Sequence, residues 1–259
     1  MAKKNSQAGG SAMHAGARFQ NQVTAWLAAK MLAERPAEPI APRGKLTYIA
    51  AESGEAVDDI LAGTDRGAFA FVQTKRKISL SALEDSELEG VVNQAVRQIV
   101  ATVEPDKRPW SRPLSPNSDR LLLVTSSDSP TTIKTHLKSV LSRVGGLKPD
   151  QTIRDAAKND GETDALATIL KLLDREWRKV TVAPPTDDEQ RMFLTLFDVE
   201  ILDPDDGEVD QREAKRDLSS IVLEDEGQEH LAWTALVTFC GNSAEKRTGF
   251  TLGTLRRSL

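Results

Sequence analysis

The sequence predicts an α/β fold in which a mixed central sheet is flanked by helices and followed by a mainly helical C-terminal region. Up to residue 150 its elements alternate in the order helix, strands, helix, strand, helix. The segment 120–125 contains four consecutive apolar residues, which is typical of a buried central strand. After residue 150, stretches with helical apolar spacing dominate. Together these patterns predict one sheet covered by helices.

Apolar spacing and the residues at segment ends predict the individual elements. A first helix over 14–34 has apolar residues at helical spacing, and Arg35-Pro36 stops it. Three prolines predict a loop over 36–44. The further N-terminal elements are strands at 46–51, 57–61 and 68–75, a helix capped by Ser79 at about 80–103, a strand at 120–125, and a helix at 131–144 ended by Gly145-Gly146.

The C-terminal part predicts helices at 156–178, 213–223 and 229–240, with a strand, or a short helix and then a strand, at 192–202. We therefore divide the chain into a disordered tail (1–13), a sheet domain (14–150) and a mainly helical extension (151–259). The last residues, 252–259, have a helical pattern without a cap. This pattern leads us to expect a further module downstream.

The amino-acid composition limits the classes of protein to which this chain can belong. The chain has 259 residues, of which 39% are hydrophobic and 28% charged, as expected of a soluble globular protein. The absence of a secretory signal and of any apolar run near ~18 residues predicts a cytoplasmic protein without a membrane span. The single cysteine, Cys240, excludes an intrachain disulfide. A net charge of −5 disfavours nucleic acid mildly, although basic residues cluster at 75–77 and 107–112.

Two neighbouring predicted strands carry the polar residues that suggest chemistry. Asp58 and Asp59 lie in the first, and Gln73 and Lys75 follow an apolar run in the second. Because strand side chains alternate between faces, Gln73 and Lys75 are expected to point to one side and Thr74 to the other. A carboxylate, an amide oxygen and a lysine that converge at a sheet edge can hold Mg²⁺ and activate water against a phosphodiester.

A surface hairpin with polar ends explains the same residues without any chemistry. Lysine is common on edge strands, and paired aspartates often mark turns. However, burying polar side chains at the end of an apolar strand costs ~1–3 kcal/mol each unless they are paired. A metal site would provide that pairing, so the combined pattern favours a site while the hairpin interpretation remains open.

The helix that opens the first domain carries a motif that belongs with these residues. Gly16, Phe19 and Gln20 form a Gly-x-x-Phe-Gln pattern, followed by Asp59 and then by Gln-x-Lys at 73–75. Over residues 14–126 the chain resembles the Mrr-like PD-(D/E)xK, restriction-endonuclease-like nuclease domains. The similarity is to N-terminal effector domains of bacterial antiviral proteins, including CBASS effectors and STAND NTPases. Glutamine stands here where many members have an acidic residue.

The resemblance implies a role for each matching residue. Asp59 would be the main metal ligand with help from Gln73, and Lys75 would orient the attacking water. Gln20 would support the site, Asp58 would support it or replace Asp59 as the ligand, and Glu52 or Glu55 would compensate for its few negative charges.

Arg76 and Lys77 would contact DNA. The resemblance thus implies a Mg²⁺- or Mn²⁺-dependent endonuclease that cuts double-stranded DNA in anti-phage defence. It further implies a homo-oligomer with a downstream sensor or NTPase module. The alternative is a catalytically inactive nuclease-fold adaptor for protein interaction or nucleic-acid binding.

Overall fold

A computed structural model of the chain describes residues 6–101, 108–148, 150–221 and 228–258. Its strands are β1 (Pro36–Ala37), β2 (Ala41–Ala51), β3 (Ile60–Thr64), β4 (Phe69–Thr74), β5 (Arg120–Thr125), β6 (Phe197–Ile201) and β7 (Gly249–Thr251). Its α-helices are α1 (Ser6–Leu32), α2 (Glu87–Val100), α3 (Lys138–Val144), α4 (Asp160–Thr181), α5 (Asp187–Leu196), α6 (Val209–Ser219), α7 (Gln228–Glu245) and α8 (Leu252–Ser258). A π-helical segment (Thr132–Leu137) precedes α3, and a 3-10 turn (Ile153–Ala156) precedes α4.

The strands form a mixed sheet in the order β1-β2-β3-β4-β5-β6, with β7 also paired to β2. Strands β2, β3 and β4 are antiparallel neighbours, and β1 and β7 are both antiparallel to β2. Strand β5 is parallel to β4, and β6 is parallel to β5. The carboxyl ends of β4, β5 and β6 therefore lie side by side at one edge of the sheet, which we call the carboxyl edge.

Alternate residues of β4 enter two different cores. Phe69 and Phe71 belong to a cluster built with α2, α3 and α4, whereas Ala70 and Val72 belong to a cluster with α1, α6 and α7. Burying one such phenylalanine contributes roughly 1.5–3 kcal/mol. Continued alternation places Gln73 on the α2 side of the sheet and Thr74 on the α1 side.

The structure confirms an α/β fold with a mixed central sheet flanked by helices. Strand β5 occupies the predicted residues 120–125, and β4 ends one residue before the predicted end at Lys75. The segment predicted as a strand or as a short helix and then a strand is α5 followed by β6. Long apolar runs and helical spacing were therefore sufficient to find these elements.

Two helices begin elsewhere than predicted. Helix α1 begins at Ser6, so residues 6–13 are helical instead of a disordered tail, and residues 1–5 lie outside the described ranges. Helix α2 begins at Glu87 instead of near Leu80. Ser86, not Ser79, is its N-cap, because the Ser86 hydroxyl accepts the Glu89 N–H at 3.2 Å.

Strand β3 begins three residues later than predicted. The Glu52 N–H donates to the Asp59 carbonyl at 3.0 Å, and the Ser53 N–H donates to the Asp58 carbonyl at 2.9 Å. These bonds close the loop between β2 and β3, so both aspartates precede the strand. The prediction that the paired carboxylates lie within or at the end of a strand is wrong. They lie at the start of β3, beside the end of β4, because the two strands are antiparallel.

The sheet continues across residue 150. Strand β6 pairs with β5, and β7 pairs with β2, so segments of the predicted C-terminal extension complete the sheet begun by the N-terminal strands. Both cores likewise contain residues from each side of position 150. The division of the chain at this position stays a prediction.

Amphipathic helices cover the sheet with their apolar faces. Helix α4, for example, buries Leu166, Ile169 and Leu173 while its opposite face carries charged residues. Among the described residues, no helix combines the length and the hydropathy that crossing a bilayer would need. The cytoplasmic location stays a prediction.

A buried ion pair joins α3 to the start of α4. Arg143 donates to both carboxylate oxygens of Glu162, each at 2.7 Å, and Glu162 is 4% exposed. The Arg143 guanidinium therefore lowers the pKa of Glu162 to about 2, from a usual value of 4.5. The Lys158 N–H, which donates to the same carboxylate at 2.7 Å, acts in the same direction.

Glu162→Gln is expected to lower the free energy of unfolding by about 1–2 kcal/mol at pH 7, because the folded state binds the Glu162 proton more weakly than the unfolded state. This contribution is complete above the unfolded pKa of 4.5 and is lost as the pH falls towards the folded pKa of about 2. Urea unfolding of wild type and variant between pH 7 and pH 3 measures the difference. Glu84→Gln, at an exposed position, is the control. A gap that does not shrink with falling pH would contradict the assignment.

Candidate functional site

The carboxyl edge gathers basic and hydroxyl side chains just beyond the ends of two parallel strands. Lys75, Arg76 and Lys77 follow β4, and Ser126 and Ser127 follow β5. Hydrogen bonds between the two strand extensions keep them together: the Lys75 N–H donates to the Val124 carbonyl at 2.9 Å, and the Ser126 N–H to the Arg76 carbonyl at 3.1 Å. Backbone hydrogen bonds therefore keep these groups side by side just beyond the strand ends.

Asp59 is fixed by Thr74, on the α1 side of the sheet. Its Oδ2 accepts the Thr74 backbone N–H at 2.7 Å and the Thr74 hydroxyl at 2.8 Å. Burial raises the pKa of the Asp59 carboxyl above its usual value, and the hydrogen bonds from Thr74 and the charge of Lys75 oppose this rise. The Asp59 carboxylate therefore connects the loop before β3 to the end of β4 by hydrogen bonds.

Gln20 on α1 reaches the same place. Its Nε2 donates to the Asp59 carbonyl at 3.0 Å and to Glu52 Oε1 at 3.1 Å. The structure thus brings together three residues that the sequence analysis names for the site, Gln20, Glu52 and Asp59. The amide serves as a donor that ties α1 to the loop before β3.

Gln73 lies on the other face of the sheet. Its neighbour Phe71 packs against α2 and α4, whereas Asp59 is bound by Thr74 on the α1 face. Gln73 is 5% exposed, and its Oε1 has no hydrogen-bond partner among the described residues. We expected Gln73 and Asp59 to converge on one metal, and the structure does not bring them together. Asp59 binds Thr74, and the alternation of β4 places Thr74 and Gln73 on opposite faces of the sheet.

Asp58 and Glu55 contact other parts of the chain. Asp58 Oδ1 accepts the Gln94 side-chain amide at 3.4 Å. Glu55 Oε1 accepts Arg108 at 2.5 Å and the Trp110 indole N–H at 2.9 Å. Glu55 is therefore engaged with the loop after α2, and it does not supply charge beside Asp59.

The donor set does not fit a metal held by Asp59 and Gln73. One Asp59 oxygen already accepts two hydrogen bonds, and the Gln73 amide lies across the sheet. Within the described ranges, no three His, Cys, Asp or Glu side chains are grouped as ligands for a metal. Mg²⁺ or Mn²⁺ stays a prediction that these contacts do not support.

A cavity of about 250 Å³ opens beside the carboxyl edge, between α1 and the loop after β6. Its lining residues are His14, Ala15, Arg18, Phe19, Gln22, Arg76 and Asp205. Gln22 is 3% exposed; its Nε2 donates to the Pro204 carbonyl at 3.3 Å, and its buried Oε1 has no hydrogen-bond partner within the described ranges. The cavity thus contains two guanidinium groups and one unused amide acceptor.

Sequence reasoning missed Arg18, Gln22 and Asp205. A signal for the first two was present, since residues four apart share a helix face and both lie in or next to the opening motif of α1. Asp205 gave no such signal, because only the parallel pairing of β6 brings the following loop to this edge. Arg76, predicted to contact DNA, instead pairs with Asp205 at 3.0 Å, and Lys77 is exposed.

No protein-family model matches the chain, and no curated protein is similar enough in sequence to count as a relative. Its fold does match solved structures of the Acinetobacter baumannii Cap4 SAVED/CARF-domain containing receptor. The structure with the cyclic trinucleotide 2'3'3'-cAAA has a TM-score of 0.50 and 11% identity, and the match covers 94% of this chain and 44% of that chain. The structure described without a nucleotide has the same TM-score and identity and is covered over 46% of its length.

A third structure, with 3'3'3'-cAAA, has a TM-score of 0.50 and 10% identity, with coverage of 94% of this chain and 44% of that one. At a sequence identity this low, the structural match shows that the fold is shared. The chain spans less than half the length of the receptors that it matches.

These matches overturn the sequence-based family assignment. The structures that share the fold are described as SAVED/CARF-domain receptors and not as PD-(D/E)xK nucleases. The predictions of a Mrr-like nuclease, of a hydrolase that cuts DNA and of an enzyme are therefore wrong. The inactive nuclease-fold alternative rests on the same assignment and is corrected with it, and a DNA substrate is not supported.

Proposed function

We propose that this chain is part of a receptor that binds a cyclic oligonucleotide second messenger in anti-phage defence. The observation that carries the proposal is the fold match over 94% of this chain to a receptor whose structures include cyclic trinucleotides. The defence role implied by the sequence resemblance is compatible with such a receptor. A further module and self-association, both expected from the sequence, remain part of the proposal.

The carboxyl edge is the part of the fold best suited to such a ligand. In open α/β sheets, ligands bind in the crevice beyond the carboxyl ends of the parallel strands. Here Arg18 and Arg76 line a cavity at that edge, and the exposed Lys77 follows Arg76 in the chain. A cyclic oligonucleotide carries one negative charge per phosphodiester. Guanidinium groups bind phosphate oxygens through short, charge-assisted hydrogen bonds. A ligand spanning the edge would meet these cations together.

The net charge of −5 does not oppose this placement, because phosphate recognition depends on local charge. The basic residues after β4 are contiguous, whereas the acidic residues nearby are held in ion pairs such as Asp205 with Arg76. Binding at this edge should weaken as salt increases, since exposed charges are screened over about 8–10 Å.

The test is titration of the protein with 3'3'3'-cAAA and 2'3'3'-cAAA in a calorimeter, with linear triadenylate for comparison. Arg76→Ala/Lys77→Ala is expected to bind a cyclic trinucleotide at least about tenfold more weakly, because each lost charge-assisted contact costs roughly 1.5–3 kcal/mol. Lys171→Ala/Arg257→Ala removes two exposed cations elsewhere and is expected to bind like wild type.

Absence of binding of either cyclic trinucleotide to the wild-type chain would refute the proposed function. Equal losses in the Arg76/Lys77 variant and in the Lys171/Arg257 variant would leave the function standing but would remove the carboxyl edge as its site.

A further inference from the structure

The loop between β6 and α6 contains the sequence Asp203-Pro204-Asp205-Asp206, and each of these residues contacts the carboxyl edge or α1. Asp203 Oδ1 accepts the Ser127 N–H at 2.9 Å. Asp205 pairs with Arg76 at 3.0 Å, and Asp206 lies 3.6 Å from Arg18. The Pro204 carbonyl accepts the Gln22 amide at 3.3 Å. We call residues 203–206 the acidic loop.

The groups that the acidic loop contacts are those that bind phosphate in other proteins. Two guanidinium groups and one backbone N–H form anion-recognition sites in many unrelated folds. Here each of them faces a carboxylate from the chain itself. The carboxylates therefore occupy the positions that the oxygens of a phosphorylated ligand would take.

The contacts are also weak enough to be displaced. Arg18 and Asp206 have side chains that are 61% and 75% exposed, and those of Arg76 and Asp205 are 45% and 33% exposed. Ion pairs with this much solvent around them contribute little to stability. A ligand that carries two or more phosphates can therefore compete with single carboxylates.

A further polar atom points to the chemistry of the ligand. Gln22 Oε1 is buried in the cavity that Arg18, Arg76 and Asp205 also line, and none of the residues that the structure describes donates a hydrogen bond to it. A buried acceptor left unpaired is costly, so a ligand that offers an N–H or O–H group there gains a bond that the unliganded chain lacks. Nucleotides combine such donors with phosphate.

We propose that Arg18, Arg76 and the Ser127 N–H form a phosphate site, and that the acidic loop fills this site in the unliganded protein and is displaced by a nucleotide ligand. This inference rests on the proposed function, since it names how the same edge is regulated. The acidic loop acts as an internal competitor. It lowers the apparent affinity for weakly charged anions and selects ligands that carry several phosphates.

The test uses inorganic pyrophosphate as a probe of the phosphate site and 3'3'3'-cAAA as a probe of the proposed function. Asp205→Asn/Asp206→Asn keeps one side-chain oxygen at each position but removes two charges. It is expected to bind pyrophosphate at least about tenfold more tightly than wild type, since each removed charge at 4 Å in water is worth about a factor of five. Arg18→Ala/Arg76→Ala is expected to lose pyrophosphate binding.

The matched control is Asp164→Asn/Asp188→Asn, which makes the same charge change at exposed positions of α4 and α5. Equal pyrophosphate affinity in this control and in the Asp205/Asp206 variant, or no pyrophosphate binding by any variant, overturns the proposal. If pyrophosphate behaves as expected but no variant binds 3'3'3'-cAAA, the phosphate site stands and the proposed function fails. If 3'3'3'-cAAA binds wild type and the Asp205/Asp206 variant equally, the acidic loop is not a competitor.

Discussion

Asp217→Ala is expected to lower the free energy of unfolding by about 3–5 kcal/mol, the largest effect of any single substitution considered. Asp217 is fully buried in α6, and its carboxylate pairs with Lys30 at 2.8 Å and with Arg35 at 2.5 Å. Lys30 is itself 4% exposed. Removing the carboxylate leaves a buried ammonium whose remaining partner, Glu213, is exposed to solvent.

Chemical denaturation monitored by tryptophan fluorescence measures this loss. Asp164→Ala, an aspartate at an exposed position of α4, is the control and is expected to change stability by less than about 0.5 kcal/mol. In the double variant Lys30→Met/Asp217→Ala the loss should be smaller than the sum of the two single losses, since the pair is removed as a unit. A loss below about 1 kcal/mol for Asp217→Ala would show that the pair does not hold α1 to α6.

Asp59→Ala is expected to lower the free energy of unfolding by about 3 kcal/mol. The substitution removes the acceptor of the Thr74 backbone N–H and hydroxyl, and a buried donor left without a partner costs about 1–3 kcal/mol in addition to the lost bonds. Asp59→Asn keeps one oxygen acceptor and should lose less than half as much.

The pH dependence gives a second readout for Asp59. Because burial raises the pKa of Asp59 in the folded state, folding binds its proton more tightly, and the aspartate stabilises the fold more as the pH falls through that pKa. The gap between wild type and Asp59→Ala should therefore widen at acid pH, which is opposite to the behaviour of Glu162. An equal gap at pH 7 and pH 4 would argue that the Asp59 carboxyl is not desolvated.

The fold was predictable where local sequence and tertiary environment agree. The apolar run 120–125 could only be stable as a buried strand, and β5 is in the centre of the sheet. Helix α2 was misplaced because both Ser79 and Ser86 could serve as its cap, and only the bond from the Glu89 N–H chooses Ser86. Strand β7 was missed because three residues carry no periodic signal.

The candidate site was predictable only in part. The motif that links Gln20 to Asp59 corresponds to a real contact, and the alternation of β4 placed Gln73 and Thr74 on opposite faces as expected. The sequence could not show that Asp59 accepts a hydrogen bond from Thr74, because this contact depends on how the loop before β3 enters the sheet. The metal hypothesis required Asp59 to lie on the same face of the sheet as Gln73.

Functional inference from the motif failed for a related reason. A few polar residues at matching positions indicate a family only if the surrounding fold brings them together in the family's geometry. The fold instead matches solved structures of a SAVED/CARF-domain containing receptor. The ion pair between Asp205 and Arg76 was unpredictable for the same reason. The two residues are far apart in sequence, and the parallel pairing of β4 with β5 and of β5 with β6 brings them to one edge.

By itself, the sequence determined the α/β class, the central strands and most of the helices, because burial of apolar residues at periods of two and 3.6 is a local property that any stable fold must satisfy. The tertiary structure alone decided which polar groups meet. It placed Asp59 against Thr74, left the buried oxygens of Gln22 and Gln73 without partners in the part of the chain that the structure describes, and brought the acidic loop onto Arg18 and Arg76. These contacts join distant segments through strand order and register, which no local pattern specifies.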